Sequence, residues 1–222
     1  MRETIETAWT ELFGEPISRA PGIRIVRDAP NFAERIFLLR LGDGLTIAAP
    51  SGIDIDTTIT PDEAFTRDFA GSLAPGLVLG PSWHGYADRG SFQPQGPCDA
   101  RRVTDADGFR EHVDAGEFED GGFGDEPGEY LWYACFEDEE RVAMGNMTNF
   151  AGHPADVGLV TRPDHRRKGH GTRLAGAMVA EALETLEVVR YRALTTNLAS
   201  LAVARKLGFV QDGSNIVVRL GP

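Results

Sequence analysis

The sequence predicts a mixed α/β fold, an α+β N-terminal half followed by a mixed sheet with helices on its faces. Three observations carry this. In the C-terminal half, apolar runs and helical periodicities follow the order β-β-β-α-β-α-β-β. After the third run, Leu174, Ala175, Met178, Val179, Ala182 and Leu186 share one helical face, while Arg173, Glu181, Glu184 and Glu187 take the other. Glycines at 169 and 171 punctuate the junction between that run and that helix.

The individual elements follow from local signals. A helix is expected over 3–13, and strands over 23–27, 35–41 and 45–48, the last two joined by the hairpin signal Gly42-Asp43-Gly44. Thr60-Pro61-Asp62-Glu63 reads as a helix start, with proline and acids in the first turn. Residues 80–97 are rich in Gly and Pro and lack periodicity, so the chain is expected to divide there, into 1–98 and 99–222. Thr104 is expected to cap a helix over 105–115. An acidic, glycine-rich loop over 116–129 then carries Glu117, Glu119, Asp120, Asp125, Glu126 and Glu129. Strands are expected over 130–136, 141–149, 156–161 and 188–194, a helix over 198–206, and a closing hairpin turning at Asp212-Gly213 into 215–220.

Composition excludes several classes of function. The 222 residues have a net charge of −12, which disfavours nucleic acid and anionic membranes as partners. Lysine occurs only at 168 and 206, which fits a high-salt surface and an ordinary compositional bias equally well. No apolar run reaches the ~18 residues of a membrane span, and the charged N-terminus lacks a signal-peptide core, so a cytoplasmic location is expected. Cys98 and Cys135 form no metal-type spacing; Cys135 reads as a small core hydrophobe and no metal is expected.

The informative segment runs from Asp156 to Thr172. It is an apolar strand, a turn marked by Pro163, then Arg166-Arg167-Lys168-Gly169-His170-Gly171 at the mouth of the amphipathic helix. The first N–H groups of a helix lack intrahelical acceptors and its dipole is positive there, so this is an anion site suited to phosphate. A Walker A loop needs Gly-Lys-Ser/Thr, but Lys168 precedes Gly169; a dinucleotide fingerprint needs a third glycine where Leu174 stands.

The spacing Arg166-x-x-Gly169-x-Gly171, with Asn197-x-x-Ser200 and Leu207-Gly208-Phe209 downstream, resembles the GNAT superfamily, the Gcn5-related N-acetyltransferases. The resemblance covers about 100–220 and implies a mostly antiparallel sheet with acetyl-CoA as co-substrate; some relatives carry a degenerate second copy of the fold in the other half. It implies that Leu159, Val160 and Thr161 pair with the pantetheine arm. Arg166, Arg167, Lys168, Gly169, His170, Gly171 and Thr172 would take the pyrophosphate, and Asn197 with Ser200 would bond the arm. The implied reaction is direct attack by a primary amine on the thioester in a ternary complex, with Asp156 as the general base. Glu126, Glu129 and His153 are alternative bases. Many relatives protonate the leaving thiolate with a tyrosine where this chain has Ala204, so Ser200 or water takes that role, the thiolate leaves without enzymatic protonation, or the chain is a non-catalytic CoA-binding module. The acceptor is expected to be a small-molecule or peptide amine, steered by the acidic loop, and a homodimer is an allowed assembly.

Overall fold

The computed structural model of the chain describes residues 1–123 and 131–221. In chain order the elements are α1 (Arg2–Phe13), β1 (Gly22–Arg27), β2 (Arg35–Leu41), β3 (Gly44–Ala49), α2 (Pro61–Ala64), α3 (Arg67–Leu73) and β4 (Gly76–Ala87). There follow β5 (Asp99–Val103), α4 (Ala115–Asp120), β6 (Leu131–Glu137), β7 (Glu140–Phe150) and β8 (His153–Thr161). The chain ends with α5 (His170–Ala182), β9 (Val189–Leu194), α6 (Leu198–Lys206) and β10 (Val210–Leu220).

Two compact units interleave along the chain. One comprises 2–85, 193–198 and 211–221; the other comprises Met1, the described residues of 86–192, and 199–210. The consecutive division into 1–98 and 99–222 expected from the sequence is thus not the one that packing makes. Most of the final strand joins the N-terminal unit, because β10 pairs antiparallel with β2 from Ser214↔Arg40 to Arg219↔Arg35.

In the N-terminal unit the strands lie in the order β1-β3-β2-β10. β1 and β3 are parallel, while β2 and β3 form the expected antiparallel hairpin. Ile36, Leu38, Ile47, Ile216 and Val218 form the centre of one core with Ala64 and Ala70. Thr60 caps α2 with a reciprocal capping box to Glu63, as its sequence suggests. The helix α1 buries Ile5, Trp9 and Phe13, spaced four apart along one face. Trp9 stacks on His84 with ring centroids 5.5 Å apart, and His84 Nε2 lies 2.6 Å from Asn215 Oδ1.

In the second unit the order is β9-β8-β7-β6-β5. Its pairings are antiparallel except β8 with β9. The two faces of this sheet are covered differently. On one lies α5, close enough that a Cβ on Gly145 would stand 2.3 Å from Met178 Sδ. On the other, Phe109, Phe118 and Phe123 close over Trp132, Met144 and Val160.

Three sequence expectations fail for identifiable reasons. Residues 80–87 are strand, not irregular boundary, since β4 runs through them to Ala87. The helix over 105–115 does not form. Asp105 instead accepts the Asp107 N–H at 3.1 Å and Gly108 takes φ +69, while Asp114 caps the short α4 by accepting from Gly116 and Glu117. The first part of the expected acidic loop is therefore helical, and Asp125, Glu126 and Glu129 lie outside the described residues. Finally, Asp212-Gly213 is not a hairpin turn, because β10 passes through it unbroken. Gly213 has φ +140, and a Cβ there would lie 2.7 Å from Leu41 Cδ2 and 3.2 Å from the Arg40 carbonyl oxygen. The glycine serves close strand approach rather than chain reversal. Gly213→Val should therefore cost about 1–3 kcal/mol of stability in urea denaturation; an unchanged midpoint would mean the strand has room to spare.

Candidate functional site

The glycine loop sits in the second unit, between β8 and α5. Arg167 and Gly169 both adopt left-handed backbone, with φ +64 and +85. Gly169 is the residue before the helix and no side chain caps this end. Arg173 N–H donates to the Gly169 carbonyl at 3.0 Å, which leaves the N–H groups of His170, Gly171 and Thr172 without intrahelical acceptors. Arg167 and Lys168 are exposed beside them. An uncapped helix start with paired cations is what an anion needs.

The two glycines do different work. Gly169 supplies the left-handed turn. Gly171 is buried, and a Cβ on it would stand 2.7 Å from Thr161 Oγ1 and 3.2 Å from Leu159 Cδ2. It lets α5 press against β8. Arg166 is also committed within the protein: Nε donates to the Thr161 carbonyl at 3.1 Å and Nη2 to Glu117 at 2.6 Å.

The strand before the loop parts from its neighbour. β8 pairs with β7 up to Ala143↔Thr161. It pairs with β9 only at Asp156↔Arg190 and Val157↔Tyr191. The β9-facing edge of Gly158, Leu159, Val160 and Thr161 thus makes no ladder with β9 among the described residues. Backbone groups on such an edge can pair with an extended ligand as another strand would.

Asp156 stands at this fork and is not placed as a base. It is 4% exposed. Arg190 holds both its oxygens, Nε to Oδ1 at 3.0 Å and Nη2 to Oδ2 at 2.7 Å, with Arg192 Nε at 3.9 Å. The Arg190 guanidinium in turn lies 3.9 Å over the Phe150 ring. Both carboxylate oxygens are thus already engaged by one guanidinium, in a bidentate, charge-assisted pair. His153 is exposed at the start of β8.

Ser200, in the first turn of α6, lies 3.0 Å from the Tyr191 hydroxyl. Burial pushes Tyr191 up to about 12, so it stays a neutral phenol at ordinary pH. Ala204 is fully buried and brings no proton-donating group. Gly208 has φ +82 and a Cβ there would meet the Ser91 carbonyl oxygen at 2.0 Å, so the Leu207-Gly208-Phe209 segment owes its glycine to both conformation and contact. Phe209 sets its ring edge-on to Tyr191 at 5.4 Å. Asn197 belongs to the other compact unit, where it is exposed and its N–H donates to the Leu194 carbonyl at 2.9 Å.

A histidine cluster lies behind the loop. His165 Nδ1 is 3.1 Å and His170 Nε2 3.6 Å from the same Glu137 oxygen. Arg173 Nη2 is 3.2 Å from His170 Nδ1. Since a guanidinium can only donate, Nδ1 accepts and neutral His170 carries its proton on Nε2, which faces Glu137. This tautomer leaves Nε2 without the lone pair a metal ligand needs. Burial also holds the His170 imidazole below its usual value. Cys135 is buried as expected, yet it has a partner the spacing did not reveal. Hydrogen bonding between the thiols lowers Cys98 and raises Cys135, across the β5–β6 ladder at Ala100↔Cys135. A cavity of about 180 Å³ lined by Arg102, Tyr133, Glu181 and Leu186 lies at the opposite end of α5 from the loop.

The fold therefore brings Leu159, Val160, Thr161 and Arg166 through Thr172 together at one fork. The Asp156–Arg190 pair and the Tyr191 hydroxyl were missed in the sequence because their partners are supplied by β9 and α6. No helix among the described residues is long and apolar enough to cross a membrane.

Comparison with known proteins agrees with this geometry. No curated protein matches the chain in sequence. Among solved structures, a Drosophila protein is 15% identical with a TM-score of 0.52, over 78% of this chain and 60% of that one. A putative acetyltransferase of the GNAT family from Novosphingobium aromaticivorans is 16% identical with a TM-score of 0.51, over 86% and 77%. An acetyltransferase of the GNAT family from Colwellia psychrerythraea is 10% identical with a TM-score of 0.50, over 69% and 60%. The chain thus spans about 60% of the length of the first and third of these, and at such identities the likeness is one of fold alone. The model of the acetyltransferase (GNAT) domain matches residues 99–210, half of the chain, and the chain belongs to that family.

Proposed function

We propose that the chain is an N-acetyltransferase that uses acetyl-CoA and acetylates a primary amine. The observation that carries this reading is the fork: β8 leaves β9 after Val157↔Tyr191, and the glycine loop opens α5 at His170, only nine residues after Thr161. An extended arm beside Gly158–Thr161 would end where the N–H groups of His170, Gly171 and Thr172 meet Arg167 and Lys168. A ligand with an amide-bearing arm and a pyrophosphate suits both parts of the site.

Bound there, acetyl-CoA supplies a thioester with an electrophilic acyl carbon and a thiolate leaving group. The chain's own contribution is mainly placement, which alone can lower a barrier by several kcal/mol. Leu159, Val160 and Thr161 align the arm, and a main-chain N–H near Val160 steadies the developing oxyanion. Ser200 bonds the arm near its reactive end. Ser200 is the proton donor to the departing sulfur, replacing the side chain that Ala204 lacks. Tyr191, neutral at working pH, donates to Ser200 and turns the serine proton outward. The amine surrenders its proton to water, and Asp156 acts on position rather than as a base.

One alternative has an observation of its own. Ala204 is fully buried, so the chain lacks the usual donor and would serve as a CoA-binding module without turnover. Thiol release from acetyl-CoA over a panel of amines separates the two, since binding without release favours the module.

Two variants test the site. Gly169→Ala forces a side chain into a backbone with φ +85 and should weaken acetyl-CoA binding about tenfold by calorimetry, since the strain costs about 1–2 kcal/mol. Unchanged affinity would remove the loop from the binding site. Asp156→Ala leaves Arg190 buried without its counter-charge and should cost about 3–5 kcal/mol in urea denaturation. Asp156→Ala/Arg190→Met should recover most of that loss; failure to recover would show that the two side chains act independently.

A further inference from the structure

The α4-side face of the second unit's sheet carries an unusual row. Trp132, Asn146 and Gly158 are directly opposite one another across β6, β7 and β8, so the three occupy one face. Trp132 is 6% exposed and Asn146 is fully buried. Trp132 Nε1 and Asn146 Oδ1 both lack a hydrogen-bond partner. A buried donor and a buried acceptor thus lie unsatisfied on neighbouring strands, whereas buried polar groups are ordinarily paired. The amide orientation is settled by its other end, because Asn146 Nδ2 donates to the Gly121 carbonyl at 2.9 Å, which leaves Oδ1 as the free acceptor.

The row is also in a telling place. Gly158 is the first residue of β8 beyond its pairing with β9, and a Cβ on it would stand 2.3 Å from Asn146 Oδ1. Asn146 therefore adjoins the start of the open edge on the face away from α5, with Trp132 one strand further along the same row. The surrounding walls are apolar: Phe118, Phe123, Met144 and Val160, with Phe123 set edge-on to Trp132 at 5.4 Å. The Gly121–Phe123 turn closes over the row, and Gly122, at φ +84, crosses it without a side chain.

We propose that Trp132 Nε1–H and Asn146 Oδ1 are the recognition pair for the acceptor. They select a small amine on an apolar or aromatic body that bears a carbonyl or hydroxyl oxygen on the carbon next to its amino-bearing carbon. The oxygen accepts from Trp132 and an amine N–H donates to Asn146, while the phenylalanine rings hold the body. Entry follows a shift of the Gly121–Phe123 turn. The assignment of this pair to the acceptor rests on the acetyl-transfer reading, in which the thioester lies along Gly158–Thr161.

The test is direct binding, read on Trp132 itself and independent of turnover. The chain has three tryptophans, and the indole N–H resonance lost in Trp132→Phe identifies the relevant one. Titration with phenylalaninamide, with and without CoA, is expected to move that resonance. Phenethylamine, which lacks the oxygen, should bind about tenfold more weakly, the worth of one buried hydrogen bond. Trp132→Phe keeps the aromatic packing and should abolish that preference. A resonance that stays still under phenylalaninamide, as it would for a pair satisfied by structural water only, overturns the proposal. So does a preference that survives in Trp132→Phe. Failure of the acetyl-transfer reading shows elsewhere, as absence of acetyl-CoA binding or thiol release.

Discussion

The candidate site depends on the Asp156–Arg190 ion pair at the point where β8 and β9 stop pairing. The two residues are partners in the parallel ladder and are also tied by two side-chain hydrogen bonds. Backbone and side chains therefore clamp the same rung. Beyond the next rung the strands no longer form a ladder, and an open edge is exposed to a ligand. Buried ion pairs often add little net stability, because desolvation offsets their attraction. What this one contributes is location: a fully apolar rung would leave the end of pairing less sharply defined. The Phe150 ring under Arg190 restricts the guanidinium to the plane that meets both carboxylate oxygens.

From that fork, the remaining features follow as consequences of distance and charge. The strand that leaves β9 runs directly into the loop whose cations and helix start attract an anion. One of the loop's three charges differs from the other two, since Arg166 is held by Glu117 and the Thr161 carbonyl while Arg167 and Lys168 extend from the exposed turn. Arg166 thus ties the loop to α4, on the far side of the sheet from α5. In a chain with net charge −12, an exposed basic pair beside free N–H groups is a local exception, and local fields decide where an anion settles.

Elements governed by short-range signals were legible in the sequence. The wheel of α5 placed Leu174, Ala175, Met178 and Val179 inward, and all four are buried; α6 begins and ends at the expected residues. Misreadings arose where a distant partner decided the outcome. Asp212-Gly213 carries a turn signal, but approach to Leu41 and Arg40, far away in the chain, makes it strand. Thr104 is a plausible cap, yet Arg141 donates to Asp105 at 2.6 Å and holds that segment in a non-helical turn. The same rule applies within the site. The strand, the glycine turn and the helix start were legible in order, whereas the partner of Asp156 was not, because Arg190 lies 34 residues further along the chain.

The Trp132–Asn146 row belongs to a different class from these structural contacts. Asn146 has an evident structural task in holding the Gly121 carbonyl, so its presence in the core can be explained without a ligand. Trp132 Nε1 has no such task. Leaving a buried N–H unpaired costs about 1–3 kcal/mol, and phenylalanine would fill most of the same space without that penalty. A core under selection for stability alone would replace the indole. Retaining it one strand from an unpaired acceptor, in the row that ends at the first residue of the open edge, is explained if something in the working protein pairs with both.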